Sequence, residues 1–423
     1  MLLDADYFID ENGYANIEVF VSTSEKIVRL IDRGFRPYFF VLCRDEQQQQ
    51  TAKAILEADF GGGIRAIAAV PTEVANAQNA LKVVFKNPQD LVRARETITE
   101  ILGVVEKREF DIPFSTRYLI DKKLRPMAGV EAHEEAGEIV SIKAAECEHE
   151  MRIVALDLET YSPGRFSDAT KDPILMAVLA TKNGQKVYTY KKSAEKGVLC
   201  FANEKEMVEA FLGDLRKMQP DILVTYNGDS FDLPYVKTRC EKLKIKCDFG
   251  FGSVKIVRRG MYNAAGLKGI AHLDAFQLLK FMARIGAVSL LKFDLENVSD
   301  KVFGKPKEKV AASDINALWD SGEIDRVVRY NAEDGDVTLR LAEEFLPLQL
   351  QLCSMLRMTL YDTSRASSSQ MVEQLLIINS FDRGQLIPNK PTEGEVARRN
   401  LQTYKGGFVK EPLPGLHENI AVL

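Results

Sequence analysis

Three groups of residues in this sequence have the types and spacing needed for metal-assisted hydrolysis. Asp157 and Glu159 close the apolar run Ile153-Val154-Ala155-Leu156-Asp157-Leu158-Glu159. In a strand, the period of two puts both carboxylates on one face. Tyr226-Asn227-Gly228-Asp229-Ser230-Phe231-Asp232 follows a second strand-like run and precedes helical spacing from Leu233 to Leu243. Asn-Gly is also a hairpin signal, but that spacing favours a strand turning into a helix. Ser230 is then the expected N-cap, and Asp232 lies in the first turn, where the helix dipole favours an anion. Tyr330 and Asp334 fall four apart in a helix expected from about Ile324 to Phe345, sharing a face with Val337 and Leu341, whereas Asp336 falls on another stripe. Taken singly, each acid also fits a solvated or capping role. Together, four carboxylates from one strand end and two helices suit two divalent cations about 4 Å apart. Hard oxygen donors select Mg²⁺ or Mn²⁺. Such a pair activates a water, neutralises a phosphate and stabilises a leaving oxygen, with Tyr330 one turn before the acid to orient the water.

The elements that must position these residues follow from the apolar pattern. The near-continuous run before Glu159 is that of a central strand covered on both faces. Ile174 to Thr181, Asn183-Gly184 and Val187 to Tyr190 read as strand, turn and strand. Asn203 and Glu206 resemble a capping box, opening a helix of Val208, Phe211, Leu215 and Met218 that Pro220 closes. Strand, hairpin, helix, strand and helix predict a mixed α/β sheet over residues 151–345. Residues 1–127 alternate short apolar runs such as Ile17 to Val21 and Tyr38 to Leu42 with helices expected from Glu46 to Ala58 and from Pro88 to about Leu102, an α+β domain. Residues 128–150 hold seven glutamates and one lysine and read as an acidic linker. Residues 346–387 read as a helical connector, and 388–423 as Gly/Pro-rich chain ending in a strand-like run.

Composition narrows the class. The chain has 423 residues, 46% hydrophobic and 28% charged, which excludes a single small module, a fibrous repeat and a disordered chain. A formal net charge of -5 means that any DNA contact must come from a local basic face, such as Lys255, Arg258, Arg259 and Lys268 around Tyr262. Six scattered cysteines without a Cys-x-x-Cys pair, and four histidines, argue against a zinc site or a disulfide framework. No run approaches the roughly 18 apolar residues of a membrane span, and the start has no basic segment before an apolar core. A soluble, cytoplasmic protein is expected.

The motifs as a set resemble the three proofreading exonuclease motifs of archaeal-type family B DNA polymerases: Asp157-Leu158-Glu159-Thr160, Tyr226-Asn227-Gly228-Asp229-Ser230-Phe231-Asp232 and Tyr330-x-x-x-Asp334. Flanking text agrees at Phe35-Arg36-Pro37-Tyr38, Asp111-Ile112-Pro113-Phe114, Phe303-Gly304-Lys305-Pro306-Lys307-Glu308-Lys309 and Tyr404-Lys405-Gly406-Gly407-Phe408-Val409. The resemblance implies a multidomain α/β and α+β chain whose residues 151–345 form an RNase H-like 3′-to-5′ exonuclease serving DNA replication at the nucleoid. It implies one metal on Asp157, Glu159 and Asp334, a second on Asp157 and Asp232, and a pocket for the frayed 3′ end shaped by Asn227 and Phe231. Arg258, Arg259 and Lys268 would lie beside the DNA on a strand-separating hairpin, and Tyr404, Gly406 and Gly407 would form a linker that touches the template.

By the same resemblance, residues 1–127 bind the template, with a uracil pocket at Tyr7, Pro37, Pro88, Leu91, Pro113, Phe114 and Arg117. Leu91 stands where the family has a smaller valine and narrows a pocket that must exclude thymine by size. The connector is expected to pack back on the amino-terminal domain, and residues 388–423 to begin the palm. The palm motifs Asp-Phe-x-Ser-Leu-Tyr-Pro-Ser and Asp-Thr-Asp do not occur in these residues. The chain is therefore expected to be the amino-terminal part of a polymerase, unable to extend a primer unaided, with the polymerising half and its sliding-clamp contact in the same or a separate chain. The alternatives are a catalytically inactive DNA-binding or scaffold subunit of a split polymerase, and a stand-alone nuclease.

Overall fold

A computed structural model describes residues 1–44, 47–162, 166–259, 262–305, 312–401, 406–407 and 410–420. The chain divides into two units, Met1–Ile387 and Pro388–Leu423. Among the described residues, no helix is long and apolar enough to cross a membrane.

The first unit is built on β-sheets, of which the five- and six-stranded ones mix parallel and antiparallel pairs. The one that matters for the site has six strands, in the spatial order Val198–Cys200, Gly184–Thr189, Ile174–Thr181, Ile153–Thr160, Ile222–Thr225 and Ala271–Asp274. Strand Ile174–Thr181 is apolar along almost its whole length because both faces are covered. Met176 and Val178 join one core cluster with Ile315, Trp319 and Val327, while Ala177 and Leu179 join another with Phe211 and Leu215. Helix Glu204–Met218 begins as expected at Asn203, whose side chain accepts from the Glu206 backbone N–H at 3.0 Å. The Glu206 carboxylate reaches back to the Asn203 side-chain Nδ2 at 3.1 Å and the Ala202 N–H at 3.3 Å rather than to the Asn203 N–H of a capping box.

The amino-terminal part contains a five-stranded and a four-stranded sheet. Here the acidic linker expected at 128–150 is corrected: Val130–Glu135 and Glu138–Ala144 form a hairpin. Its turn residues Ala136 and Gly137 have φ of 52° and 81°, the left-handed pair that a two-residue hairpin loop requires. The hairpin extends the sheet of strands Leu2–Ile9, Ala15–Ser22 and Ile27–Asp32. Ile142 is buried against Leu2, Ile17 and Phe114, and the glutamates occupy the outer positions, with Glu131 paired to Lys143 at 3.0 Å. High charge here marks the solvent face of an edge hairpin.

Helix boundaries differ in instructive ways. The first helix is Gln48–Glu57, and Glu46 lies outside the described residues; the second ends at Thr97 in a single 3₁₀ turn. The helix expected to stop at Phe345 runs from Ile324 to Leu356, through Pro347. An interior proline costs about 3 kcal/mol, but Leu346, Gln349, Cys353 and Leu356 keep one face buried past it, so packing outweighs the break. The 346–387 segment is therefore the end of this helix followed by helices Leu360–Thr363 and Ser368–Asp382. In the second unit, Thr392 and Glu395 form a reciprocal capping box for helix Glu393–Asn400, an element the Gly/Pro-rich reading passed over.

A buried joint ties the amino-terminal sheet to the six-stranded one. Asp221, fully buried, accepts from Ser22 Oγ at 2.5 Å, Arg152 Nη2 at 2.7 Å and the Arg152 N–H at 2.8 Å, and meets His149 Nε2 at 3.0 Å. Burial pushes its carboxyl up, but the Arg152, Ser22 and His149 bonds outweigh that and hold it below the usual 3.8. A depressed carboxyl contributes stability that is complete above 3.8 and lost as pH falls through its folded value. Wild type is thus expected to lose thermal stability more steeply below about pH 4 than Asp221→Asn, which starts lower and responds less. Parallel melting curves of the two from pH 5 to 3 would contradict this.

Candidate active site

Strand Ile153–Thr160 is the hinge of the site. On one side it pairs antiparallel with Ile174–Thr181, with Asp157 opposite Val178 and Glu159 opposite Met176. On the other it pairs parallel with Ile222–Thr225 only as far as Ala155. Asp157 and Glu159 therefore project beyond the last parallel pair, at the carboxyl end of the strand, where open sheets leave room for a ligand.

The long helix crosses this end. It approaches closely because residue 335 is glycine: a Cβ there would lie 2.8 Å from Val178 Cγ1. Asp334 is thereby brought, almost buried, to the strand acids, and the carboxylate oxygens of Asp157, Glu159 and Asp334 lie within 4.8 Å of one another. Glu333 and Asp336 face solvent, as the helical stripe requires. Gly335→Ala forces Val178 to give way and is expected to cost about 1–3 kcal/mol of stability and to slow any reaction that needs all three acids. An unchanged melting temperature would contradict that packing.

Asp232 comes from the second motif. The turn before it is tight: Asn227 takes a left-handed φ of 64°, and a Cβ on Gly228 would lie 2.1 Å from Thr225 Oγ1. Helix Asp232–Leu243 starts one residue later than expected, with Phe231 rather than Ser230 at the cap position. The N–H groups of Ser230 and Phe231 are instead taken by the Asn227 carbonyl at 3.1 and 3.0 Å, so the turn caps itself. Burial, and then the negative charges of Asp274 and Asp334, push the Asp232 carboxyl up to about 8, against the backbone N–H groups of Asp232 and Leu158. The four acids line a cavity of about 280 Å³ with Tyr226, Asn227, Phe231, Ile315 and Tyr330. Tyr330 Oη donates to Glu296 Oε1 at 3.3 Å, and burial with the surrounding carboxylates raises its phenol well above 10.

Two residues that the motifs did not single out hold this arrangement. Asp274, at the end of strand Ala271–Asp274, accepts from the N–H groups of Asn227 at 2.9 Å and Asp229 at 3.1 Å, and caps helix Ala275–Arg284. Asn331 donates from Nδ2 to Asp157 Oδ2 at 2.9 Å. Asp274 carried a strand-end signal in the sequence; Asn331 carried none beyond its place next to Tyr330.

Residues 105–298 match the family model described as DNA polymerase family B, exonuclease domain. That domain is present in this chain. The whole chain is 37% identical over 430 residues to a DNA polymerase of Pyrococcus glycovorans, covering 52% of it. It is 38% identical to one of Thermococcus kodakarensis, covering 24%. A solved family B DNA polymerase from the hyperthermophilic archaeon Pyrobaculum calidifontis is similar over 93% of this chain and 52% of that one, with a TM-score of 0.78 and 26% identity. The chain is thus similar over essentially its whole length to part of these DNA polymerases, and it spans about half, or less, of their length. The mixed sheet is that of the family's RNase H-like domain, and exonuclease domains of this kind are metal-dependent, in keeping with the acidic cluster.

The remaining residues expected at DNA are placed unevenly. Asn227 and Phe231 line the exonuclease cavity. Arg258, exposed, and Arg259 lie on hairpin strand Lys255–Arg259, where Arg259 pairs with Asp362 and sits 4.9 Å above the Tyr361 ring. Lys268, about a third exposed, pairs with the buried Glu18, which Arg29 also holds at 2.5 Å. Tyr404 lies outside the described residues, and Gly406 and Gly407 are in exposed irregular chain of the second unit.

Of the expected uracil-pocket residues, Tyr7 and Phe114 meet edge to face at 5.4 Å. Pro37 is buried, Pro113 is exposed, and Pro88 opens the helix on which Leu91 packs into a core with Phe39 and Phe85. Arg117 is buried in an ion pair with Glu109 at 2.7 Å and lies 4.8 Å above the Tyr38 ring.

Proposed function

We propose that this chain hydrolyses the terminal phosphodiester of DNA from the 3′ end, editing for a polymerising half that lies in the same or a separate chain. The observation that carries the reading is the convergence of Asp157, Glu159 and Asp334 within 4.8 Å, beside Asp232, in a cavity walled by Phe231 and Asn227. Three carboxylates packed so closely repel unless a cation lies between them, and a set of oxygens with no Cys or His fits Mg²⁺ or Mn²⁺. Asp157, Glu159 and Asp334 would hold one such ion, and Asp157 with Asp232 the second. Bound there, divalent cations supply charge neutralisation and a more acidic water.

The chain's own groups do the rest. Phe231 offers an aromatic face to the last unstacked base, and Asn227 borders it. The Tyr330 hydroxyl, kept protonated, orients the attacking water by hydrogen bonding. The exposed strand Lys255–Arg259, with Arg258 and Arg259, lies against phosphates and helps part the DNA strands. The amino-terminal domain, residues 1–127, meets the template, with Tyr7 and Phe114 as the wall of a base pocket. Contact with a sliding clamp is made only through the polymerising half.

Two 5′-labelled primer–templates that differ only in the match of the last base pair test the editing role. The frayed, mismatched end is expected to shorten several-fold faster. Equal rates would contradict proofreading and leave a nuclease without preference for frayed ends.

A further inference from the structure

Asn331 is wholly buried on the long helix, one residue after Tyr330. Its Nδ2 lies 2.9 Å from Asp157 Oδ2, and the nitrogen faces the carboxylate because two acceptors at that distance would repel. Among the described residues no group donates to Asn331 Oδ1. A buried amide that leaves its own carbonyl unsatisfied is a poor choice for stability, so its place here calls for another cause. An aspartate's terminal torsion is broad, so the partners of its carboxylate set where the oxygens point. A charge-assisted hydrogen bond from a buried helix side chain is a strong partner of that kind.

We propose that Asn331 is a positioning residue for the cation site: it locks the Asp157 carboxylate in the orientation in which its oxygen converges with those of Glu159 and Asp334. The inference rests on reading that cluster as a divalent-cation site. Partners that orient a ligand from behind commonly set metal affinity by about 10–100-fold.

The test is Mn²⁺ binding to the full chain without DNA, read from the paramagnetic resonance of the free ion, for wild type, Asn331→Leu and Asn331→Ala. Leucine keeps the shape of the amide and removes the donor. The dissociation constant for Mn²⁺ is expected to rise about 10–100-fold in Asn331→Leu. Its metal-free melting temperature should stay level or rise, because an unsatisfied carbonyl has gone. A packing role predicts the opposite pair of results, unchanged Mn²⁺ affinity with a lower melting temperature, and that would overturn the proposal. Should the leucine variant fail to fold, the alanine variant is read the same way, and binding as tight as wild type again overturns it. Mn²⁺ binding by wild type that Asn331→Leu leaves intact removes the role of Asn331 while the cation site stands. No Mn²⁺ binding by wild type removes both. Weakened binding in the variant, with no DNA degradation even by wild type, supports Asn331 and removes the exonuclease reading instead.

Discussion

Replacing both Asp157 and Glu159 by alanine is expected to lower the rate of 3′-end removal about 10³-fold or more while leaving the fold intact. The two acids are partly exposed at a strand end and crowd against Asp334, while Asp157 also accepts from the buried Asn331 amide. Removing them relieves repulsion but leaves that amide without its acceptor, so the two effects offset and the melting temperature should change little. Activity behaves otherwise, because removing a single preorganised charge or donor at a reacting phosphate commonly costs about 10²–10³-fold, and groups acting as a unit fail together. Single-turnover digestion beside a melting curve checks both halves. A variant that keeps more than about a tenth of wild-type activity would place the chemistry elsewhere.

Arg365→Met is expected to have the largest effect on stability. The Arg365 side chain is fully buried and grips Asp229 with two bonds of 2.8 Å, from Nε to Oδ2 and from Nη2 to Oδ1. Its Nη1 donates to the carbonyls of Tyr361 at 2.9 Å and His272 at 3.1 Å. Burial alone pushes Asp229 up; the Arg365 guanidinium overrides it and holds the carboxyl below 3.8. Removing one partner leaves a buried charge unpaired, which costs about 3–5 kcal/mol. Because Asp229 also lies in the turn between Asn227 and Asp232, the variant should slow catalysis through misplaced Asp232. Replacing both partners, as Asp229→Leu with Arg365→Met, should recover much of the loss. Urea unfolding of the single and double variants decides it, and a single variant that loses less than about 1 kcal/mol would contradict the clamp.

The acids that do the proposed chemistry were legible because each sits at a place the local pattern marks: a strand end for Asp157 and Glu159, a helix start for Asp232, a helical stripe for Asp334. What holds them was not legible. Asn331 and Asp157 lie 174 residues apart, and Arg365 and Asp229 lie 136 apart, so their pairing exists only once the helices pack. Ser230 looked like a cap because it is a good one by type, yet the self-capped turn at Asn227 left it no role. A sequence shows charge without direction, so the pairing of Lys268 with the buried Glu18, far earlier in the chain, could not be read from it. The hairpin at Ala136-Gly137 is masked in the sequence by its glutamate content, although Glu131 alternates with Val130 and Ala132 as a half-buried strand requires.

The central claim is a metal-dependent nuclease acting from the 3′ end, and the position of the label tests it most directly. With Mg²⁺, wild type acting on a single-stranded oligonucleotide labelled at its 5′ end should give a ladder of progressively shorter labelled products, none with a chelator and none with Asp157→Ala/Glu159→Ala. Release of the 5′ label as a mononucleotide, or degradation that persists in the chelator or in the double variant, would contradict the account. So would an intact oligonucleotide after incubation with folded wild type and Mg²⁺.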